Sequence, residues 1–201
     1  MDAEARLATV VAEARNCRRC AGRLPHEPRP VLRARASATV LIVGQAPGTR
    51  VHASGIPWDD ASGVRLRRWM KLDEATFYDD TRVAIIPAGL CYPGKGRSGD
   101  LPPVPECAPT WHPRLAPLLP RIGLTLLVGQ YAQAHYLGAR RKSTLTETVR
   151  AWRDYLPEFL PMPHPSPRNT LWLARNPWFE AEVVPMLRER INSLFGREVT
   201  P

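Results

Sequence analysis

Long apolar runs are missing from this chain. No stretch approaches the roughly 20 residues that a membrane span requires, which excludes a helix crossing a bilayer. Residues 2–15 lack the apolar centre of a secretion signal and carry Asp2, Glu4, Arg6, Glu13 and Arg15 instead, so a cytoplasmic protein is expected. Cysteine is scarce: four residues are too few for a disulfide scaffold of this size, and in a reducing compartment ligation is the better use for them. Internal repeats and low-complexity tails are absent. Acidic residues are outnumbered, 19 against 28 Lys and Arg, leaving a net charge of +9 carried mostly by arginine. Arginine forks match phosphate, so the balance favours a polyanionic partner such as nucleic acid. What the chain has in excess is proline, 22 residues that fix many loops. Its 201 residues are read as a single domain over 1–201, long enough to bury a full core.

The organising stretch is 40–70, VLIVGQAPGTRVHASGIPWDDASGVRLRRWM. A buried-looking strand at about 39–44 breaks at Gly44 into a loop rich in Gly and Pro, and a helix begins near Ser62 and runs through Leu66 and Trp69. Strand, glycine turn, loop and helix is how an α/β protein builds a ligand site at the carboxyl end of a strand. The loop gathers Gln45, His52, Trp58, Asp59 and Asp60.

Further strands are expected at 82–88, 124–128 and 159–162. Helices are expected over 2–15 (Leu7, Val10, Val11 and Ala14 on one side), 112–119, 130–137, 144–155 and 177–194, with an irregular segment from 89 to 109. Strands separated by helices predict a parallel sheet covered on both faces, with GQAPG, the Cys91 segment and HPSPRN gathered in one cleft at the strand ends. Gly89-Leu-Cys-Tyr-Pro-Gly-Lys-Gly96 nearly matches a phosphate-binding P-loop. The motif fails because Gly96 stands where Ser or Thr must hold Mg²⁺, and because Leu101-Pro-Pro103 cannot continue a helix.

Cys17 and Cys20 form a Cys-x2-Cys pair, and Cys91 and Cys107 follow far downstream. Four thiolates suit either tetrahedral zinc or a [4Fe–4S] cluster. The zinc-ribbon pattern has two close pairs and this chain has one, which weakens the zinc reading without choosing a metal.

GQAPG after a strand, HPSPRN after the last strand and this order of cysteines together resemble the uracil-DNA glycosylase superfamily. The cysteine spacing and GIPW, where the family has Gly-x-Pro-Phe, look like the iron–sulfur enzymes of family 4, and Asp60-Ala-Ser-Gly63 looks more like family 5. The resemblance spans Cys17 to Asn169. It implies an α/β/α three-layer sandwich around a four-stranded parallel sheet, and a [4Fe–4S] cluster on Cys17, Cys20, Cys91 and Cys107. The implied activity is that of a monomeric, monofunctional DNA repair glycosylase. Such an enzyme flips uracil or another deaminated base out of DNA and hydrolyses its N-glycosidic bond, leaving an abasic site.

By the same resemblance Gly44, Gln45, Ala46, Pro47, Gly48, Trp58 and Ser166 bind the base. Trp58 stands at the position of a stacking Phe, and an indole offers a larger face for that job. His164 donates to the anionic base that a dissociative cleavage leaves, with the Gln45 backbone nearby. Pro165, Pro167, Arg168 and Asn169 belong to the loop that meets DNA, a rigid wedge flanked by a cation.

Two departures bear on function. Relatives often carry Asp or Asn where this chain has Ala46, so the group that handles the water is sought elsewhere: Asp60 first, with Asp59 and His52 as alternatives. The uracil-reading Asn of the family is replaced by Pro87, which has no side-chain hydrogen bond to offer. Base excision is thus better supported than uracil as the substrate. The competing readings are a DNA-binding module that kept the fold and lost catalysis, and a zinc protein of unrelated function.

Overall fold

The structure is a computed structural model that describes residues 2–97 and 99–196. The expected domain over 1–201 therefore includes a few positions, 1, 98 and 197–201, outside the described residues. The strands among the described residues are β1 (Val40–Val43), β2 (Val83–Ile85), β3 (Lys95–Gly96), β4 (Gly99–Asp100), β5 (Leu124–Val128) and β6 (Phe159–Met162). The helices are α1 (Ala3–Arg15), α2 (Thr49–Ser54), α3 (Ala61–Met70), α4 (Glu74–Phe77), α5 (Cys107–Leu115), α6 (Gln130–Leu137), α7 (Leu145–Arg150), α8 (Thr170–Arg175) and α9 (Val184–Phe195).

Four strands form one parallel sheet in the order β2-β1-β5-β6, with Leu41 opposite Ala84 on one side and Thr125 on the other. Every residue of these strands is buried, as a sheet covered on both faces requires. Alternation sorts them. Val40 and Ile42 join Val83, Leu124, Leu126 and Leu160 against α3 and α9, while Leu41 and Val43 join Ala84 and Leu127 against α1, α5 and α6. The result is the expected α/β/α sandwich. Pro161 is tolerated because β6 is an edge strand with β5 on one side only. Among the described residues no helix is long and apolar enough to cross a membrane.

Several elements differ from expectation. The helix expected over 144–155 stops as α7 at Arg150 and tightens into a 3-10 turn at Trp152–Tyr155. The terminal helix divides into a π-turn, Phe179–Val183, and α9. Pro185 explains that division, because it cannot donate to the carbonyl one turn earlier and its ring crowds it. The helix expected at 112–119 begins earlier, at Cys107. The segment expected to be irregular holds the antiparallel β3–β4 hairpin, in which Lys95 pairs with Asp100.

The chain leaves β1 for β2 on one side and later returns to β5 on the other, so connections at the carboxyl ends of the strands diverge around β1. A crevice at that point is the expected ligand site of a doubly wound sheet.

Candidate active site

A cavity of about 540 Å³ opens there. The first-strand loop lines it with Gly44, Gln45, Ala46, Pro47 and Gly48; Trp58 and Asp60 follow, and the loop after β6 adds His164, Ser166, Pro167, Arg168 and Asn169. Residues more than a hundred positions apart thus meet in one place, as their positions after strands predict.

Trp58 is held by unusual local structure. Its φ is +60°, in the left-handed region that a bulky side chain rarely adopts. The space it takes is left by glycines: a Cβ on Gly44 would stand 2.8 Å from the indole Cζ2, and a Cβ on Gly63 would collide with the Trp58 carbonyl. The indole lies 5.5 Å, ring centre to ring centre, from the His164 imidazole.

His164 sits in a loop fastened at several points. Asn169 Nδ2 donates to its carbonyl at 2.8 Å, and Arg65 donates to the Ser166 carbonyl at 3.1 Å. The Ser166 N–H donates to His164 Nδ1 at 3.2 Å. A backbone N–H can only donate, so Nδ1 is the acceptor and Nε2 carries the proton of the neutral ring. Burial pushes the His164 pKa below the usual histidine range, with the Asp60 carboxylate opposing it, and so favours that neutral form.

An indole, an imidazole in its Nε2–H tautomer and a glycine-rich loop thus meet at the strand ends. The family model described as the uracil DNA glycosylase superfamily matches residues 33–188. The chain belongs to that superfamily. The match takes in the whole cavity lining except Val31, and two of the cysteines, Cys91 and Cys107; Cys17 and Cys20 precede it.

Two carboxylates are found at the cavity. Asp60 begins α3 and accepts the Gly63 N–H at 2.8 Å, the side-chain cap its position before a helix favours. Asp100, on the β3–β4 hairpin, also lines the cavity and was not expected from the sequence. Burial and the nearby Asp60 raise its pKa above the usual carboxylate range, against Arg168 and Lys95. Asp59 is paired instead with Arg50 at 3.4 Å.

Two expected site residues are placed elsewhere. His52 is not among the residues lining the cavity; Val51, one residue earlier on the short helix α2, is. The His52 ring packs 5.2 Å from His26 and 5.7 Å from Tyr92, because neighbours on a helix face different ways. Pro165, expected in the loop that meets DNA, is buried and shapes the turn from within.

Pro87 does line the cavity, and its carbonyl is occupied. His112 Nε2 lies 3.1 Å from that oxygen and His112 Nδ1 lies 2.8 Å from the Tyr136 hydroxyl. Since the carbonyl can only accept, Nε2 is the donor and Tyr136 donates to Nδ1. Burial depresses the His112 pKa to about 4, fixing the neutral ring that this pattern needs.

All four cysteines line a second, much smaller cavity of about 20 Å³, walled by Pro28, Pro30, Leu90, Val104 and Trp111. Burial drives the Cys91 thiol up to about 12 and Cys107 to about 11, with Cys107 adding to the effect on Cys91 and the Leu90 N–H partly offsetting it on Cys107. That N–H donates to Cys107 Sγ at 3.3 Å. Among the described residues no three Cys, His, Asp or Glu side chains close on a single ion.

Proposed function

We propose that this protein is a monofunctional DNA repair glycosylase that acts, as a monomer, on DNA containing uracil or another deaminated base. The base is flipped out, held against Trp58 and released by hydrolysis of its N-glycosidic bond. The observation that carries the reading is the tautomer of His164. Its Nδ1 is tied to the Ser166 N–H, so Nε2–H is the donor available to a base oxygen that gains charge as the bond breaks. A neutral imidazole gives up no proton outright and stabilises the anion by hydrogen bonding alone.

A water must complete the reaction. Among the described residues lining the cavity there is no lysine to form a Schiff base, which supports simple hydrolysis to an abasic site. Arg168 and Asn169 lie where the loop meets the cavity, and a net charge of +9 suits the phosphate backbone.

The thiol cavity fits a [4Fe–4S] cluster held by Cys17, Cys20, Cys91 and Cys107. The donor set is four thiols and nothing else, surrounded by apolar side chains, with a backbone N–H already directed at one sulfur. Four thiolates in this apolar cavity would need a strongly cationic group to balance them. When bound, the cluster would clamp the segment after α1 to the segment after β2, with no part in the chemistry.

The test is a cleavage assay on labelled oligonucleotides carrying uracil, hypoxanthine or xanthine, in single and double strands, with alkali to reveal abasic sites. Breakage at uracil supports the full reading; breakage at another base only keeps the reaction and replaces the substrate. A second reading, a DNA-binding module without catalysis, is favoured by Ala46 and Pro87, which bring no functional side chain to the cavity wall. Equal affinity for damaged and undamaged DNA, with no breakage, would establish it.

A further inference from the structure

We infer that Asp100 is the carboxylate that takes the proton of the attacking water, an inference that rests on the glycosylase reading above. Among the described residues lining the cavity only Asp60 and Asp100 carry carboxylates. They are not equivalent. Asp60 has one oxygen committed to the Gly63 N–H at 2.8 Å, where it starts α3 and thereby holds the Trp58 turn. Asp60 is a positioning residue, and its charge also acts on His164.

Asp100 reaches the cavity from outside the main sheet. Its Oδ2 comes so close to the first-strand loop that a Cβ on Gly48 would stand 3.2 Å from it. Gly48 is two residues beyond Ala46, whose methyl can neither hold nor deprotonate a water, so the hairpin brings a carboxylate to a wall that otherwise lacks one. The hairpin is braced for this. Gly99 leaves room for the Arg168 guanidinium, with which a side chain at position 99 would collide.

The charged groups facing Asp100 come from three elements: Arg168 from the loop after β6, Lys95 from its partner strand β3, and Asp60 from the start of α3. The two cations favour its charged form. Partial burial and Asp60 outweigh them and leave it more basic than an ordinary aspartate, which suits a general base near neutral pH.

In the step assigned to it, the water oxygen bonds to C1′ of the sugar as the C1′–N bond breaks and its electron pair leaves on the base nitrogen. The water proton passes to the Asp100 carboxylate and from there to solvent. The base anion, held by the His164 Nε2–H, takes its own proton from solvent on release. Atoms and charge balance with water as the only co-reactant.

The test is single-turnover excision by the intact protein on oligonucleotides carrying each of the three deaminated bases, measured across pH. Asp100→Asn should lower the rate by about 10² to 10³-fold with substrate-DNA affinity unchanged. It should also remove the acid limb of the profile that Asp100 gives the wild type. Asp100→Ala should recover part of its rate on added formate, a result that a structural role would not produce. Asp60→Asn should lose less rate, keep the acid limb and show its loss in thermal stability. The inference is overturned by Asp100 variants that excise at the wild-type rate, or by slow variants that keep the acid limb and ignore formate. If the wild type itself excises none of the three bases, the glycosylase reading falls and this inference with it.

Discussion

The two cavities of this protein are served by one short segment and built on opposite plans. Pro87 faces the larger cavity, and Gly89, Leu90 and Cys91 wall the smaller. The larger, about 540 Å³, is lined by backbone loops, carboxylates, an imidazole and an indole, groups that exchange partners easily. The smaller, about 20 Å³, holds four thiols among prolines and large apolar side chains. An open polar site can bind and release; a closed apolar one can only hold. The contact between them is close, since a Cβ on Gly89 would stand 3.3 Å from the Cβ of Ala46 on the cavity wall. Movement in the wall of the smaller cavity would therefore be felt in the larger one, and a preorganised site needs its donors fixed before the substrate arrives.

If that division holds, substitutions in the two cavities should have different signatures. Cys107→Ala should have the largest effect, abolishing the brown colour of a cluster and lowering the melting temperature by about 10 °C or more, because metal binding contributes folding energy. Colour and melting temperature retained together would break the comparison from the structural side. His164→Ala should do the reverse, lowering excision by about 10² to 10³-fold with little change in melting temperature, as the loss of one preorganised donor does.

His112 lies between the two in kind. Its folded pKa of about 4 is below the ordinary value of 6.5, so the unfolded chain binds more protons between those limits. Stability present above pH 6.5 should fall by roughly 3 kcal/mol as pH drops towards 4, from the size of that shift. Urea unfolding across that range checks it, and His112→Gln should flatten the slope. The smallest effect is expected at the rim. Arg168→Ala should reduce the salt dependence of DNA binding by about one unit of slope if the side chain meets a phosphate. An unchanged slope would place Arg168 in the bracing of the hairpin alone.

The sandwich was legible because each sheet strand is a short apolar run ending in Gly or Pro, and because the helices between them repeat apolar residues at the right spacing. Trp58 and His164 were legible for the same reason: they follow strands, and strand ends gather. Asp100 was not. Its strand is two residues long, too short for any periodicity, and Gly-Asp in a Pro-rich segment reads as a surface turn. The clue was the density of glycine at 94, 96 and 99, a hairpin signal that competed with a false P-loop. His52 was over-read because loop composition gives no direction, and the short helix α2 sends Val51 rather than His52 to the cavity. The departure at Pro185 was legible in principle, since a proline inside a helical run must disturb the ladder before it.

Each cavity has one tryptophan in its wall, Trp58 in the larger and Trp111 in the smaller, while the other four of the six pack in or against the core on the α3–α9 side of the sheet. An indole's emission follows its immediate surroundings, so the protein carries two native optical gauges in places of opposite character. Exchanging either one for Phe leaves the four core indoles unchanged, so the difference from the wild-type emission is the signal of the tryptophan removed. Filling of the open cavity can then be followed separately from the state of the thiols, in the same molecule and without a label.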